Sequence, residues 1–385
     1  MSIPFSSQKI RRDIMSKNGL GFLANFKKNI SKLSTVNIGI SSPKKWYSTG
    51  NYALNKILSG SYFKGIPESR ITAFVGPSGS GKSFLSSNFL KSAQDDGAHL
   101  VVLDTENAID VEFLQKLGVD VSEDKLTYIQ VGMIEDVNSI CSDFFSNYEK
   151  EHGRYNYDAP RIVFVLDSLA MLSTSTEVDN YDGKGEIKGD QGQRAKRMKA
   201  MLRMIISRIA KLPITFVITD HVYPQDVMLG DGPWAITNST KFFPSIIGLV
   251  TRLKLKEDTE IVGVRMRIET YKSRFAKLGS KIELEVPYAT GMSPISGLLD
   301  MLEGQGIVSK AGAWYTAEIN GETLKFQRKT ATLELIKKLF QHPTIIAEEA
   351  LFETAVKDEA EMLNEMIEAE MFDEIDSESN LNSFN

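Results

Sequence analysis

From residue 71 to residue 219, short apolar runs alternate with longer stretches in which apolar residues recur every three or four positions. The runs 71–75, 99–104, 127–131, 161–167 and 214–219 are rich in Val, Ile and Phe. Most lack the strict alternation of a half-exposed strand, and that is how parallel strands covered on both faces read. The spacing between them predicts helices over 84–95, 110–117, 134–150 and 192–211. A βαβ series of this kind predicts a doubly wound α/β sheet with ligands at the carboxyl ends of its strands. After residue 247 the character changes. The stretches 247–256, 261–271 and 281–286 read as antiparallel strands that extend the mostly parallel sheet at one edge. Small α-rich regions are expected at both ends of the chain. One is an amphipathic helix around 22–33, and the other is a set of short helices from Met292 onward, followed by disorder from Asp373. The organisation predicted is a basic N-terminal segment (1–45), a core (46–290) and a small C-terminal region with an acidic tail (291–385).

The first strand and the first helix are joined by Gly76-Pro77-Ser78-Gly79-Ser80-Gly81-Lys82-Ser83. This fits G-x-x-x-x-G-K-[ST] in the strand–turn–helix context that the phosphate-binding loop requires. Glycines let the backbone N–H groups converge on phosphate oxygens, and the helix presents its positive dipole end to the same anion. Lys82 is expected to reach the outer phosphates and Ser83 to ligate Mg²⁺, with Phe84 opening the helix. ATP and Mg²⁺ are therefore the expected cofactors.

Two other strands end in acids. Asp167 closes an apolar run, where a carboxylate beside the loop holds Mg²⁺. Glu106 lies just past Asp104, where a carboxylate can orient and activate an attacking water; the competing account is a helix-start acid. His221 follows the strand 214–219 and is a candidate γ-phosphate sensor. Two long polar stretches, 173–193 and 222–245, each leave a strand's carboxyl end, and loops of that length are usually functional or disordered. In and after them stand Lys188, Arg194, Lys196, Arg197, Trp234 and Lys241, a basic and aromatic mixture that suits single-stranded nucleic acid. The helix that follows the first stretch carries Met198, Met201, Leu202, Ile205 and Ile209 at core spacing. Lys272 and Arg274 lie two apart on an edge strand, so both project to one face. They are expected to serve a neighbour's nucleotide as intersubunit cations.

Charge sharpens this picture. Residues 1–45 carry nine Lys/Arg against one acid, whereas residues 348–385 carry thirteen Asp/Glu against one Lys. A basic head and an acidic tail suggest a polyanionic partner and an internal competitor for it. No apolar run is long enough to span a bilayer, and no secretory signal is visible. The single cysteine, Cys141, excludes an internal disulfide and suits a cytoplasmic setting.

Taken together with Asp104-Thr105-Glu106-Asn107-Ala108-Ile109-Asp110, Leu166-Asp167-Ser168-Leu169-Ala170, Lys272-Ser273-Arg274 and Ala311-Gly312-Ala313-Trp314-Tyr315, the loop gives the chain a resemblance to the RecA family of homologous recombinases. Within it the chain most resembles the recombinases of T-even-type bacteriophages. The resemblance runs from about Trp46 to Tyr315. It implies a RecA-like ATPase core and an ATP-dependent filament on single-stranded DNA that pairs with a homologous duplex. It further implies that Glu106 is the hydrolytic carboxylate, that Asp110 contacts adenine with Phe113 at the stacking position, and that 173–193 and 222–245 are DNA-binding loops. Lys272 and Arg274 would complete the neighbour's ATP site, and residues 1–45 would help to join protomers. A single-strand-binding protein and a recombination mediator are implied partners, in the host cytoplasm. A ring-forming helicase and an ATP-dependent regulatory or assembly protein on the same core remain open.

Overall fold

The computed structural model describes residues 42–107, 109–184, 192–225 and 234–355, with Phe26 and Asn29 besides. Lys188, the acidic stretch beyond 355 and all but two positions of the expected N-terminal helix lie outside the described residues. Pro43–Thr354 forms one compact unit. In chain order its strands are β1 (Trp46–Tyr47), β2 (Ile66–Pro67), β3 (Ile71–Gly76), β4 (His99–Asp104), β5 (Leu126–Gln130), β6 (Ile162–Asp167) and β7 (Ile214–Pro224). They continue with β8 (Trp234–Ile236), β9 (Ile246–Glu257), β10 (Glu260–Ser273), β11 (Lys281–Pro287), β12 (Ser309–Ala311), β13 (Trp314–Ile319) and β14 (Glu322–Gln327).

Among the described residues the main sheet runs β11-β10-β9-β3-β7-β6-β4-β5, with β8 paired to the end of β7. The five expected parallel strands are present and parallel. Both faces of these strands are covered, as their unbroken apolar runs require. Phe74, Val102, Val163 and Val217 join one apolar layer with Leu85, Phe89 and Leu90 of the helix Lys82–Asp95. Val75, Leu103, Phe164, Phe216 and Ile218 join the other with the helices Ile134–His152 and Gln193–Ile209. Within that layer the rings of Phe164 and Phe216 stack with centroids 4.6 Å apart. Burying each ring contributes about 2–3 kcal/mol. The Met198–Ile209 stripe is core, as its spacing predicts. Cys141 is buried, and burial pushes its thiol up to about 12.

Three expectations are corrected. The strand 247–256 was expected to be antiparallel, but β9 pairs in parallel with β3, and the antiparallel pairing starts only between β9 and β10. The start of β9 is buried on both faces, so it reads like its parallel neighbours. Much of the first long polar stretch is a helix, Ser175–Lys184. It is started by a reciprocal cap, in which Thr174 N–H donates to Glu177 Oε2 (2.8 Å) and Glu177 N–H donates to Thr174 Oγ1 (3.2 Å). That T-x-x-E box was present in the sequence. The C-terminal region is not purely helical. β12, β13 and β14 form a three-stranded antiparallel sheet beside the helices Leu298–Gly304 and Leu333–Leu339. Its hairpin turns at Asn320-Gly321, both at positive φ, and buries Tyr315, Ala317, Ile319, Leu324 and Phe326. Asn-Gly between alternating runs is the strongest short hairpin signal.

Candidate functional site

The glycine-rich loop leaves the carboxyl end of β3, and its glycines have separate reasons. Gly79 and Gly81 adopt left-handed φ values of 66° and 103°. At Gly76 the reason is closeness: a Cβ there would lie 2.1 Å from the Val250 carbonyl oxygen. The loop thus sits directly on β9 and β10. Lys82 is buried and its ammonium donates to the carbonyls of Gly76 (3.1 Å) and Pro77 (3.0 Å). Burial pulls its pKa down, and Glu106, Asp167 and Asp220 oppose that shift. A cation is therefore held dry at the loop, facing three carboxylates.

Asp167, at the end of β6, is buried beside that cation. Burial raises its pKa, while hydrogen bonds from the hydroxyls of Ser83 and Thr219 lower it. Its Oδ2 has no hydrogen-bond partner within the described residues. A buried carboxylate oxygen left open next to a hydroxyl and a phosphate-binding loop suits Mg²⁺, which is held by one or two protein oxygens together with phosphate. No group of three His, Cys, Asp or Glu among the described residues forms a free-standing metal site.

Glu106 is held from two sides. Its Oε1 accepts from the Ser168 hydroxyl (2.5 Å) and lies 3.3 Å from His221 Nε2. The turn that carries it is fixed by Asp104, which accepts from Glu106 N–H (2.9 Å), Ile109 N–H (3.1 Å) and the Tyr128 hydroxyl (2.6 Å). Asp104 is thus a scaffold for the Glu106 turn. Asp110 caps the helix Val111–Lys116, accepting from Glu112 N–H. Phe113 packs against Phe84 at the start of the loop helix, with centroids 6.0 Å apart.

The residue that sequence reasoning left without a role is Asp220. It is buried, and its carboxylate accepts from His221 N–H (2.9 Å), the Thr237 hydroxyl (2.8 Å) and the Thr240 hydroxyl (2.5 Å). The end of the second long stretch is thereby pinned to the strand that carries His221. Its only sequence signal was an acid at a strand's carboxyl end. Asp220→Ala leaves two hydroxyls and an N–H without their acceptor, so urea unfolding should show a loss of about 2–3 kcal/mol. Asp220→Asn should recover roughly half of that, because the amide oxygen still accepts.

The basic residues of the two long stretches are placed differently from one another. Arg194 donates to the carbonyls of Leu172 and Ala170. Arg197 pairs with Glu135 and touches Ser175 and Thr176. Both guanidiniums therefore brace the base of the first stretch. Trp234 is half-buried against the core, Lys241 lies over the Tyr271 ring, and Lys196 is exposed. Between the bases of the two stretches lies a cleft of about 460 Å³, lined in part by Glu177, Arg194, Lys199, Asp220 and Tyr223.

Lys272 lies near the end of β10 and Arg274 just past it; the expected edge strand is corrected, because β11 pairs along β10 and takes the edge. Lys272 is level with Ile247 of β9, which pairs with Ala73 of β3, whereas the loop starts at Gly76. Three residues of rise and two strand spacings put Lys272 roughly 14 Å from Gly76. The Lys272 ammonium donates to the carbonyls of Lys241 (3.2 Å) and Phe242 (2.8 Å), at the end of the helix Asn238–Phe242. Burial and then Arg274 lower its pKa. Within one chain these cations do not join Lys82 and Glu106.

The model of the RecA N-terminal domain matches residues 21–293. Protein RecA of Streptomyces venezuelae is 29% identical over 301 residues, covering 77% of this chain and 74% of its own. Protein RecA of Nautilia profundicola is 29% identical over 348 residues, covering 89% of this chain and 90% of its own. Protein RecA of a Nocardioides species is 27% identical over 301 residues, covering 77% and 80%. No helix among the described residues is long and apolar enough to cross a membrane.

Proposed function

This chain belongs to the RecA family, and on that premise we propose that it is an ATP-dependent DNA recombinase that forms a helical filament on single-stranded DNA. The filament pairs its strand with a homologous duplex, serving recombination, repair and recombination-dependent replication. The observation that carries the reading is a contact path that runs from Glu106 to the His221 ring, through the His221 backbone N–H to the Asp220 carboxylate, and on to the hydroxyls of Thr237 and Thr240. It joins Glu106, which faces Lys82 of the loop, to the base of the second long stretch, and so offers a physical route by which ATP state biases DNA grip.

In this mechanism the loop N–H groups and Lys82 hold the outer phosphates of ATP, and Ser83 with Asp167 would hold Mg²⁺. The metal supplies charge neutralisation on the phosphates when bound. Glu106 orients the attacking water and accepts its proton, with its carboxylate fixed by Ser168 and His221. His221 passes the nucleotide state to Asp220, and Asp220 moves with Thr237 and Thr240. Asp110 and Phe113 sit beside the loop helix, on the side assigned to adenine. Lys196, Lys241 and the cleft between the two stretches receive the DNA backbone, and Arg194 and Arg197 keep that cleft in shape.

Lys272 and Arg274 complete the site of the adjacent protomer in the filament. Arg274→Ala is expected to leave ATP affinity of isolated protomers unchanged and to lower DNA-stimulated hydrolysis at least about a hundredfold. Phosphate release with single-stranded DNA measures this, and full turnover in the variant removes the intersubunit role. Residues 1–45 join protomers, residues 46–290 form the ATPase and DNA-binding core, and residues 291–385 carry the acidic tail. The tail modulates duplex access or recruits a single-strand-binding protein or mediator. His221 at the sensor position supports the finer assignment to the T-even-type phage branch, acting in the host cytoplasm.

A further inference from the structure

The β9–β10 hairpin continues past the phosphate loop, and its two faces treat charge in opposite ways. On one face every arginine has a cross-strand carboxylate: Arg265 pairs with Glu285 at 3.1 Å and Arg267 with Glu283 at 2.6 Å. On the other face stand Arg252 and Lys254, two apart on β9 and opposite Met266 and Val264 of β10. Both are exposed, and among the described residues neither has an ion pair. Two like charges on one strand face with apolar neighbours repel each other and gain nothing locally. This is the face that touches the loop. A Cβ on Gly81 would meet Met266 Sδ, and a Cβ on Gly79 would meet Arg252 at Nη2 (3.3 Å), Cζ (3.4 Å) and Nη1 (3.5 Å). Three guanidinium atoms at nearly equal range mean that the planar group lies flat against Gly79 of the loop. Position 79 is free in the loop motif, and here it is a glycine at positive φ that gives Arg252 its seat.

We infer that Arg252, supported by Lys254, is a nucleotide-positioning cation supplied in cis from the hairpin. It lies against Gly79 of the loop, so that the loop N–H groups and the guanidinium favour the same anion. Its ligand is the polyphosphate of a nucleoside triphosphate. The inference rests on the reading of residues 76–83 as a nucleotide site. An overhanging exposed cation adds field without adding a buried charge. Its effect therefore grows with phosphate charge and fades with salt.

The test is equilibrium titration of the full chain with fluorescent ATPγS and ADP, without DNA, at low and high salt. Arg252→Ala is expected to weaken ATPγS binding roughly tenfold at low salt and ADP binding less than about threefold, with the difference shrinking at high salt. Arg252→Lys should restore most of the affinity, and thermal unfolding of both variants should match the parent because the side chain is exposed. If the parent binds ATPγS and Arg252→Ala binds it equally well, the inference is wrong and the nucleotide site stands. An unchanged nucleotide affinity with weakened duplex DNA binding reassigns the two cations to a nucleic-acid surface and likewise overturns it. A parent that binds neither nucleotide overturns the inference together with the reading beneath it.

Discussion

Replacing Glu106 by Gln is expected to lower ATP turnover at least about a hundredfold while leaving ATP affinity within about threefold of the parent. The amide is nearly the same shape, and its oxygen still accepts from the Ser168 hydroxyl that reaches Glu106 Oε1. What is lost is the ability to take a proton from water. If hydrolysis ends the DNA-gripping state, as proposed, filaments of the variant should also persist longer on single-stranded DNA. Phosphate release under single-turnover conditions, paired with an equilibrium ATP titration, separates the two effects. Parallel loss of binding and turnover would make Glu106 a structural acid, in keeping with its place in a turn held by Asp104.

Lys82→Ala acts one step earlier. Lys82 is only 5% exposed, and its ammonium faces Glu106, Asp167 and Asp220. Removing it leaves those three carboxylates without their cation at the spot where ATP brings further negative charge. Truncating one partner of a dry, charge-assisted contact costs about 2–5 kcal/mol, so ATP affinity should fall by at least about thirtyfold, and every ATP-dependent activity with it. Isothermal titration with ATP is the direct check. A variant that binds ATP normally would dislodge residues 76–83 as the phosphate site.

Much of this was legible in the residues, and the parts that were not have physical causes. The parallel strands announced themselves because a strand buried on both faces has no polar positions to spare. The loop was legible because its glycines, Lys82 and Ser83 have fixed offsets. The helix Ser175–Lys184 was hidden by its polar composition, since a solvated helix leaves a weak apolar stripe; only the Thr174–Glu177 box betrayed it. The β13–β14 hairpin was likewise marked by Asn320-Gly321 alone. β9 changes character halfway, from buried on both faces to exposed, and so reads as part of the antiparallel edge it leads into. Sequence placed Lys82, Glu106, Asp167 and His221 at strand ends, but it could not show that Glu106 and His221 touch. Nor could it show that Arg194 and Arg197 are engaged by Ala170, Leu172 and Glu135. Those contacts join residues far apart in the chain, and no local pattern encodes them. Asp220 was the largest omission, because a buried acid bonded to three donors looks in sequence like any strand-end acid.

The central claim is that nucleotide chemistry at residues 76–83 is coupled to DNA through the 220–240 region. The most direct measurement is the ATP hydrolysis rate of the full chain with and without single-stranded DNA, with electron micrographs of the same samples. Stimulation of at least about tenfold is expected, a floor well below the roughly 10³–10⁵ by which completing a phosphoryl-transfer site raises turnover, together with long helical filaments. A rate indifferent to DNA, or stimulation accompanied by closed rings, would contradict it.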